Sequence, residues 1–388
     1  MTNLKNSLDQ FAVEKLEQLE SEHLRRTLIE TLRKAPARAN RDGQKMISFC
    51  CNDYLGLSQH PALVDAATEA MKLYGLGSGA SRLVTGNHPL FTVLERKLAQ
   101  LKGTDDACVF GSGYLANIGI VAALTGPGDL VLTDELSHAC LMAGARLSQA
   151  THLSFAHNDL AHCKQLLEQQ RAAHRHCMIL TDGVFSMDGD LAPVDELAAL
   201  ASQFDAWLMT DDAHGIGVVG GGRGSSFING QKAAVPLQMG TLSKAVGSYG
   251  GYVCASQPVI DLIRNRARSL IYSTALPPAI VAASIAALDI IASDPDLCGR
   301  PLQRARQFCS ALNLPPPESP IIAIILGAPD TALAASQKLE EAGFLVTAIR
   351  PPTVPKDTAR LRITFSADHS EADVQALVEA IKKLNIIL

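Results

Sequence analysis

Three polar clusters fall directly after short β-rich runs, and each could carry chemistry. The first follows Ala107–Phe110: Gly111-Ser112-Gly113-Tyr114, then a helical stretch. A strand, a glycine turn and a helix start together make an anion site, because glycines let the backbone approach and free N–H groups meet a phosphate. The same place has a rival reading. Gly111, Gly113 and Ala116 fit the GxGxxG/A dinucleotide pattern, with Asp134 following about twenty residues later. The second cluster, Asp211-Asp212-Ala213-His214, ends the run Trp207–Thr210. An acid at a strand tip with a histidine three residues on can cap a turn or supply a metal-ligand pair. It can also hold a pyridine nitrogen protonated, which turns the ring of pyridoxal 5′-phosphate (PLP) into an electron sink. The third is Thr241-Leu242-Ser243-Lys244, ahead of the flexible Gly247-Ser248-Tyr249-Gly250-Gly251. A lysine after a buried strand is ordinarily just solvated. Desolvated beside a cationic cofactor, it loses its proton readily and attacks a carbonyl, while its Thr and Ser neighbours donate to a phosphate.

Other chemistries fit less well. A Ser-x-x-Lys acylase needs serine where Thr241 stands, and no GxSxG elbow occurs. His152, His157, His162 and Cys163 lack zinc-ligand spacing, so no metal site is expected.

The elements that must position these residues alternate. β-rich runs at Ala107–Phe110, Asp129–Thr133, His152–Phe155, Cys177–Thr181, Trp207–Thr210, Leu237–Gly240 and Gly251–Ala255 are separated by Ala/Leu-rich segments such as Leu115–Leu124 and Val194–Ser202. The pattern predicts an α/β fold with a mainly parallel seven-stranded sheet covered on both faces. In such a sheet, ligands sit at the carboxyl ends of the strands, where the three clusters fall. A helix is expected at about Pro277–Ser293. After Asp294 the composition changes: a Pro-rich connection at Asn313–Ser319, strands at Ile321–Leu326, Phe344–Ile349 and Arg360–Phe365, and helices at Thr331–Ala342 and the C-terminus predict a small α+β domain. Leu16, Leu19, Leu24, Leu28 and Leu32 give residues 4–34 a helical pattern, read as a helix laid against the body. The expected units are an N-terminal arm (1–45), a large domain (46–293) and a small domain (294–388).

At 388 residues and net charge −5, the chain can bury a large core but offers no basic footprint for nucleic acid. Its nine cysteines include no CxxC pair, and no secretory leader is apparent, so reduced thiols in the cytoplasm are expected. The apolar stretch Ala279–Ala292 is short and contains Ser284 and Asp289, which reads as a packed helix and not a membrane span.

Taken together, the motifs resemble the α-oxoamine synthases, PLP enzymes of the aspartate-aminotransferase fold (fold type I). The carriers are Asn52-Asp53-Tyr54-Leu55-Gly56-Leu57, Gly77-Ser78-Gly79-Ala80-Ser81-Arg82, Asp134-Glu135-Leu136-Ser137-His138, Asp182-Gly183-Val184-Phe185-Ser186-Met187-Asp188-Gly189, Asp211-Asp212-Ala213-His214-Gly215 and Thr241-Leu242-Ser243-Lys244. So many motifs in one order remove the dinucleotide reading. The resemblance implies that Lys244 is the Schiff-base lysine, Asp211 the partner of the pyridine nitrogen and His138 the residue stacked on the ring. It places Ser186 and His214 near the phenolic oxygen, and Ser112, Gly113, Tyr114 and Thr241 at the phosphate and ring. Thr274 resembles a phosphate contact from a second subunit, which implies a homodimer.

The stretch Ala348-Ile349-Arg350-Pro351-Pro352-Thr353-Val354-Pro355 is similar to the biotin-pathway branch of that family. This implies decarboxylative condensation of L-alanine with a pimeloyl thioester, carried by CoA or a carrier protein. Arg350 resembles the arginine that grips the amino acid carboxylate, and Arg25, with Arg26 adjacent, a contact to the distal acyl carboxylate. Asn52 and Thr353 resemble further substrate contacts. The alternatives are a sister activity, such as glycine C-acetyltransferase or 5-aminolevulinate synthase, and a non-catalytic partner subunit. A non-catalytic subunit would have lost the lysine, which is present here.

Overall fold

The computed structural model describes residues 6–35 and 37–386. Three short strands come first: β1 Leu32–Ala35, β2 Arg38–Arg41 and β3 Gln44–Ser48. The seven strands of the main sheet follow: β4 Asp106–Phe110, β5 Leu130–Asp134, β6 Thr151–Phe155, β7 Cys177–Asp182, β8 Trp207–Asp211, β9 Leu237–Thr241 and β10 Gly251–Ala255. All seven expected runs are strands, with ends shifted by at most one residue. Their order is β4-β10-β9-β8-β7-β5-β6. β10 runs antiparallel to both its neighbours, and the remaining pairs are parallel.

The strand sequences explain this burial. Leu130-Val131-Leu132 and Cys177-Met178-Ile179-Leu180 are continuous apolar runs, as strands covered on both faces require. Val131, Met178 and Leu180 pack with Ile120 and Leu141 under the helices Gly113–Leu124 and Ala139–Ser148. Leu130, Leu132 and Ile179 point the other way, against Leu167 and Leu197. In these two strands polarity returns toward the carboxyl tips. Register sets Asp182 beside Asp211, with Asp134 ending the next strand, so carboxylates line the carboxyl edge of the sheet. The long helix runs from Pro278 to Ser293 and packs on the helices Pro61–Tyr74 and Leu90–Lys102.

The C-terminal part carries β11 Ile321–Gly327, β12 Phe344–Leu345, β13 Thr347–Ile349 and β14 Ala359–Thr364. The run expected as one strand at Phe344–Ile349 changes sheet at Val346. β12 pairs parallel with β3, whereas β13 joins β14 in the antiparallel sheet β11-β14-β13. Phe49, next to β3, accordingly lies in the core built around Phe308, Leu361, Phe365 and Leu377.

The N-terminal helix is shorter than its pattern predicts, spanning Ser7–Ser21, and it buries none of its residues in this chain. His23 adopts φ 56°, which breaks the helical path, and Leu32 belongs to β1. The leucine spacing past Ser21 therefore does not mark a helix face. Residues 4 and 5 of that pattern lie outside the described residues. All nine cysteines are free thiols, and among the described residues no helix is long and apolar enough to cross a membrane.

Candidate active site

Strands β8 and β9 deliver Asp211 and Thr241 to the same edge, and the turn after β9 places Lys244 over it. Between these residues, the Gly113–Leu124 helix start and the Asp134–His138 turn lies a cavity of about 200 Å³. Lys244, Asp211, His138, His214, Thr241 and Tyr114 all line it.

Burial pushes the Lys244 amine down to about 8, against the opposing pull of Asp211. Lys244 Nζ lies 2.7 Å from His214 Nε2, and His214 Nδ1 lies 2.7 Å from the Tyr54 hydroxyl. Burial and the Lys244 charge hold His214 well below its ordinary range, so its ring is neutral and carries one proton between two partners. With that proton on Nδ1, Nε2 accepts from Lys244; with it on Nε2, the ring donates to the free amine. Asp211 accepts from the Ala213 backbone N–H at 2.8 Å and from Asn117 Nδ2 at 2.6 Å. His138 caps the Ala139–Ser148 helix, and its own N–H donates to Asp182. Burial and the nearby Asp211 charge drive the Asp182 carboxyl well up, toward its protonated form.

At the other end of the cavity, Ser112 caps the Gly113–Leu124 helix by accepting from Leu115 N. The first-turn N–H groups of such a helix have no partner within it and suit an anion. The approach there is tight. A Cβ on Gly113 would sit 3.3 Å from Met239 Cε, and one on Gly251 would sit 2.4 Å from the Ser112 carbonyl oxygen, so glycine is needed for close strand–helix contact. Thr241 Oγ1 donates to the Gly250 carbonyl at 2.7 Å, holding the glycine loop against β9. The residues fit PLP: an anion cradle at a helix start, a carboxylate at the base, an imidazole on the wall and a buried amine of lowered pKa.

The other expected residues sit farther out. Ser186 is buried, and its carbonyl accepts from Arg362 Nε at 2.5 Å. Thr274 is exposed and pairs with Ser81, away from this chain's own cavity. Arg25 turns outward to Glu20, whereas Arg26 reaches Thr353 at 3.4 Å and Arg350 donates to the His23 carbonyl. The segment after the N-terminal helix therefore lies against Arg350–Thr353, and Arg26, not Arg25, faces that pair.

Sequence reasoning missed Arg362. Only 5% exposed on β14, it donates to Asn52 Oδ1 at 3.1 Å and to the Tyr54 hydroxyl at 3.4 Å, and its charge helps lower Lys244. A buried cation joined to the site amine through Tyr54 and His214 suits a substrate carboxylate. Its signal, Arg360-Leu361-Arg362 alternating through a buried strand, was present but reads as an ordinary strand. Asn117 was missed for the same reason, lying inside an apolar helix.

The model of class I and II aminotransferases matches residues 44–381, and the chain belongs to that family. It is 58% identical over 384 residues to the 8-amino-7-oxononanoate synthase of Maricaulis maris, covering 99% of this chain and 98% of that one. The enzyme of that name from Beijerinckia indica is 56% identical over 379 residues, 98% of each chain. Among solved structures, a serine palmitoyltransferase variant from S. paucimobilis with bound PLP-myriocin aldimine is similar, with TM-score 0.91 and 28% identity, covering 99% of this chain and 100% of that one.

Proposed function

We propose that this chain is a PLP-dependent acyltransferase that joins L-alanine to a pimeloyl thioester, releasing carbon dioxide and the free thiol and yielding 8-amino-7-oxononanoate for biotin synthesis. The observation that carries the chemistry is Lys244: a buried amine brought down to about 8, on one cavity with Asp211, His138 and a helix N-terminus. The relatives' shared name supports the choice of substrates. PLP, when bound, supplies an aldehyde for an amine and a ring that takes up electron density from the α-carbon.

The chain's own residues do the rest. Lys244 would hold the cofactor through its amine, and with that amine free it would remove and return the Cα proton of alanine. His214 and Tyr54 hold the proton line behind it, with Ser186 and His214 on the phenolic side. Asp211 would face the ring nitrogen and His138 would pack on the ring. Ser112, Gly113, Tyr114 and Thr241 hold the phosphate end. Arg362, with Asn52, grips the amino acid carboxylate from the polar network behind His214, in preference to Arg350. Arg350, Thr353 and Arg26 form the outer group that meets the distal acyl carboxylate, with Arg25 beside them.

The same reading divides the chain into an arm (1–45), a cofactor-binding unit (46–293) and a C-terminal unit (294–388), and it places the enzyme in the cytoplasm. Two copies pair, and the exposed Thr274 of one completes the phosphate end of the other. The test is thiol release by PLP-loaded protein, crossing alanine, glycine and serine with pimeloyl-, succinyl-, acetyl- and palmitoyl-CoA. Release confined mainly to alanine with pimeloyl-CoA supports the proposal. A best rate with glycine and a short acyl group would keep the chemistry and overturn the substrates.

A further inference from the structure

Two cavity-lining side chains, Asn117 and Cys140, have no role in the reading above. Asn117 is fully buried on the Gly113–Leu124 helix, and Cys140 is 2% exposed at the start of Ala139–Ser148. They touch each other, and each touches a different proposed catalytic residue. Asn117 Nδ2 donates to Asp211 Oδ2 at 2.6 Å and to Cys140 Sγ at 3.0 Å. Cys140 Sγ lies 2.7 Å from His138 Nδ1, which also accepts the Cys140 backbone N–H at 3.2 Å.

Counting protons gives this cluster a single arrangement. An amide nitrogen has two hydrogens. One goes to Asp211 and the other to sulfur, which fixes the amide orientation and leaves Asn117 Oδ1 unpaired in the interior. Burial and the Asp211 charge keep the Cys140 thiol protonated. Its sulfur accepts from Asn117, so its one hydrogen is free for His138 Nδ1. Nδ1 therefore accepts, and the proton of the neutral imidazole resides on Nε2. On the Asp211 side, Ala213 N–H and Asn117 Nδ2 each occupy one carboxylate oxygen and fix the carboxylate's orientation.

We infer that Asn117 and Cys140 act as one positioning unit, tying the orientation of Asp211 to the tautomer of His138. The inference rests on reading the cavity as the PLP site. It adds that the group opposing the ring nitrogen and the group on the ring face are set together through an amide–thiol bridge, not separately.

The test uses Asn117→Leu, Cys140→Ala, their double variant and Cys140→Ser. In cofactor-free protein labelled with nitrogen-15 histidine, His138 of the wild type should show a neutral ring protonated on Nε2. Cys140→Ser should keep that state, because a hydroxyl can accept and donate in the same way. Cys140→Ala and Asn117→Leu should shift it toward a mixture. In loaded enzyme, losing a hydrogen bond to a charged group should lower kcat about 10- to 100-fold in Asn117→Leu, with KM changed far less. The double variant should be little worse than the more damaged single one, as for residues acting as a unit. Multiplying effects, or an unmoved His138 signal in both Asn117→Leu and Cys140→Ala, would overturn the linkage. Should Asn117→Leu fail to fold, Cys140→Ala and its serine rescue read the same bridge. If the wild type takes up no PLP at Lys244, the reading of the cavity fails instead, and the cofactor-free histidine signal separates the two failures.

Discussion

Directly behind the strand tip that carries Asp211, a lysine and an aspartate are buried without water access, and removing one should be costly. Lys102 and Asp212 are both 0% exposed, with Nζ 2.6 Å from Oδ2. The Arg223 carbonyl is the other acceptor for Lys102, and Ser225 N–H donates to the second Asp212 oxygen. Backbone encloses the carboxylate: a Cβ added at Gly183, Gly215 or Gly224 would come within 3 Å of it, so water has no room to replace the lysine. At an effective dielectric of about 20, opposite charges at this separation attract by roughly 6 kcal/mol. Desolvation offsets much of this when the pair forms, but deleting one partner strands the other, which typically costs about 3–5 kcal/mol. Lys102→Met should therefore lose about that much in urea unfolding of the cofactor-free protein, a large share of an ordinary stability of roughly 5–15 kcal/mol. Asp212→Asn should cost a similar amount, and the double variant clearly less than the sum, because no unpaired charge remains. A Lys102→Met protein within about 1 kcal/mol of the wild type, or strictly additive losses, would show that the pair is not held as a dry ion pair.

Lys244→Ala should leave a folded protein with no turnover, and normal product formation would refute its assignment. Asp211→Asn should still take up PLP but lose about 10²–10⁴-fold in rate, the scale of a lost electrostatic group; a near-normal rate would argue against its place at the ring nitrogen. The rate of PLP uptake by cofactor-free protein should rise with pH through about 8, as Lys244 loses its proton, and a flat profile would contradict a buried amine as the acceptor. Burial disfavours charge on His157, yet its bonds to Asp134 and Asp190 raise it to about 10. Because the unfolded value is about 6.5, this stabilisation is fully present below that pH and is lost as pH rises through the folded value. The stability gap between wild type and His157→Gln should accordingly shrink between neutral pH and about 10, as followed by urea midpoints, whereas a constant gap would rule out the ion pairs as its source.

Much of the sheet was legible because a strand buried on both faces must be apolar throughout and turn polar only at its end. Met178, Ile179 and Leu180 ending in Asp182 is such a run, and Leu208 and Met209 ending in Asp211 is another. The N-terminal region was less legible. Leucines spaced by three to five residues suit a helix, but the spacing does not say where the path breaks, and a positive φ at His23 ends it. Nor could local pattern show that Phe344–Ile349 serves two sheets, since the pairing of β12 with β3 joins residues about three hundred apart in sequence.

The site divides along the same physical line. Lys244 and Asp211 stand out because a charged residue at the end of an apolar run is out of place there and needs an explanation, whereas His138 is named only through the family resemblance. Arg362 and Asn117 escaped because each lies within an element, where one polar residue among apolar neighbours looks like a tolerated exception. Burial reverses that judgement. A guanidinium 5% exposed and an amide fully enclosed need partners, and the partners they have are Tyr54, Asn52, Asp211 and Cys140, all within three hydrogen bonds of Lys244 or His138. The strand tips thus provide the groups proposed to react, and the elements around them provide the groups that hold these in place. Only the first set stands out in a linear sequence, because the second is defined by contacts between β14, the Gly113–Leu124 helix and the sheet edge.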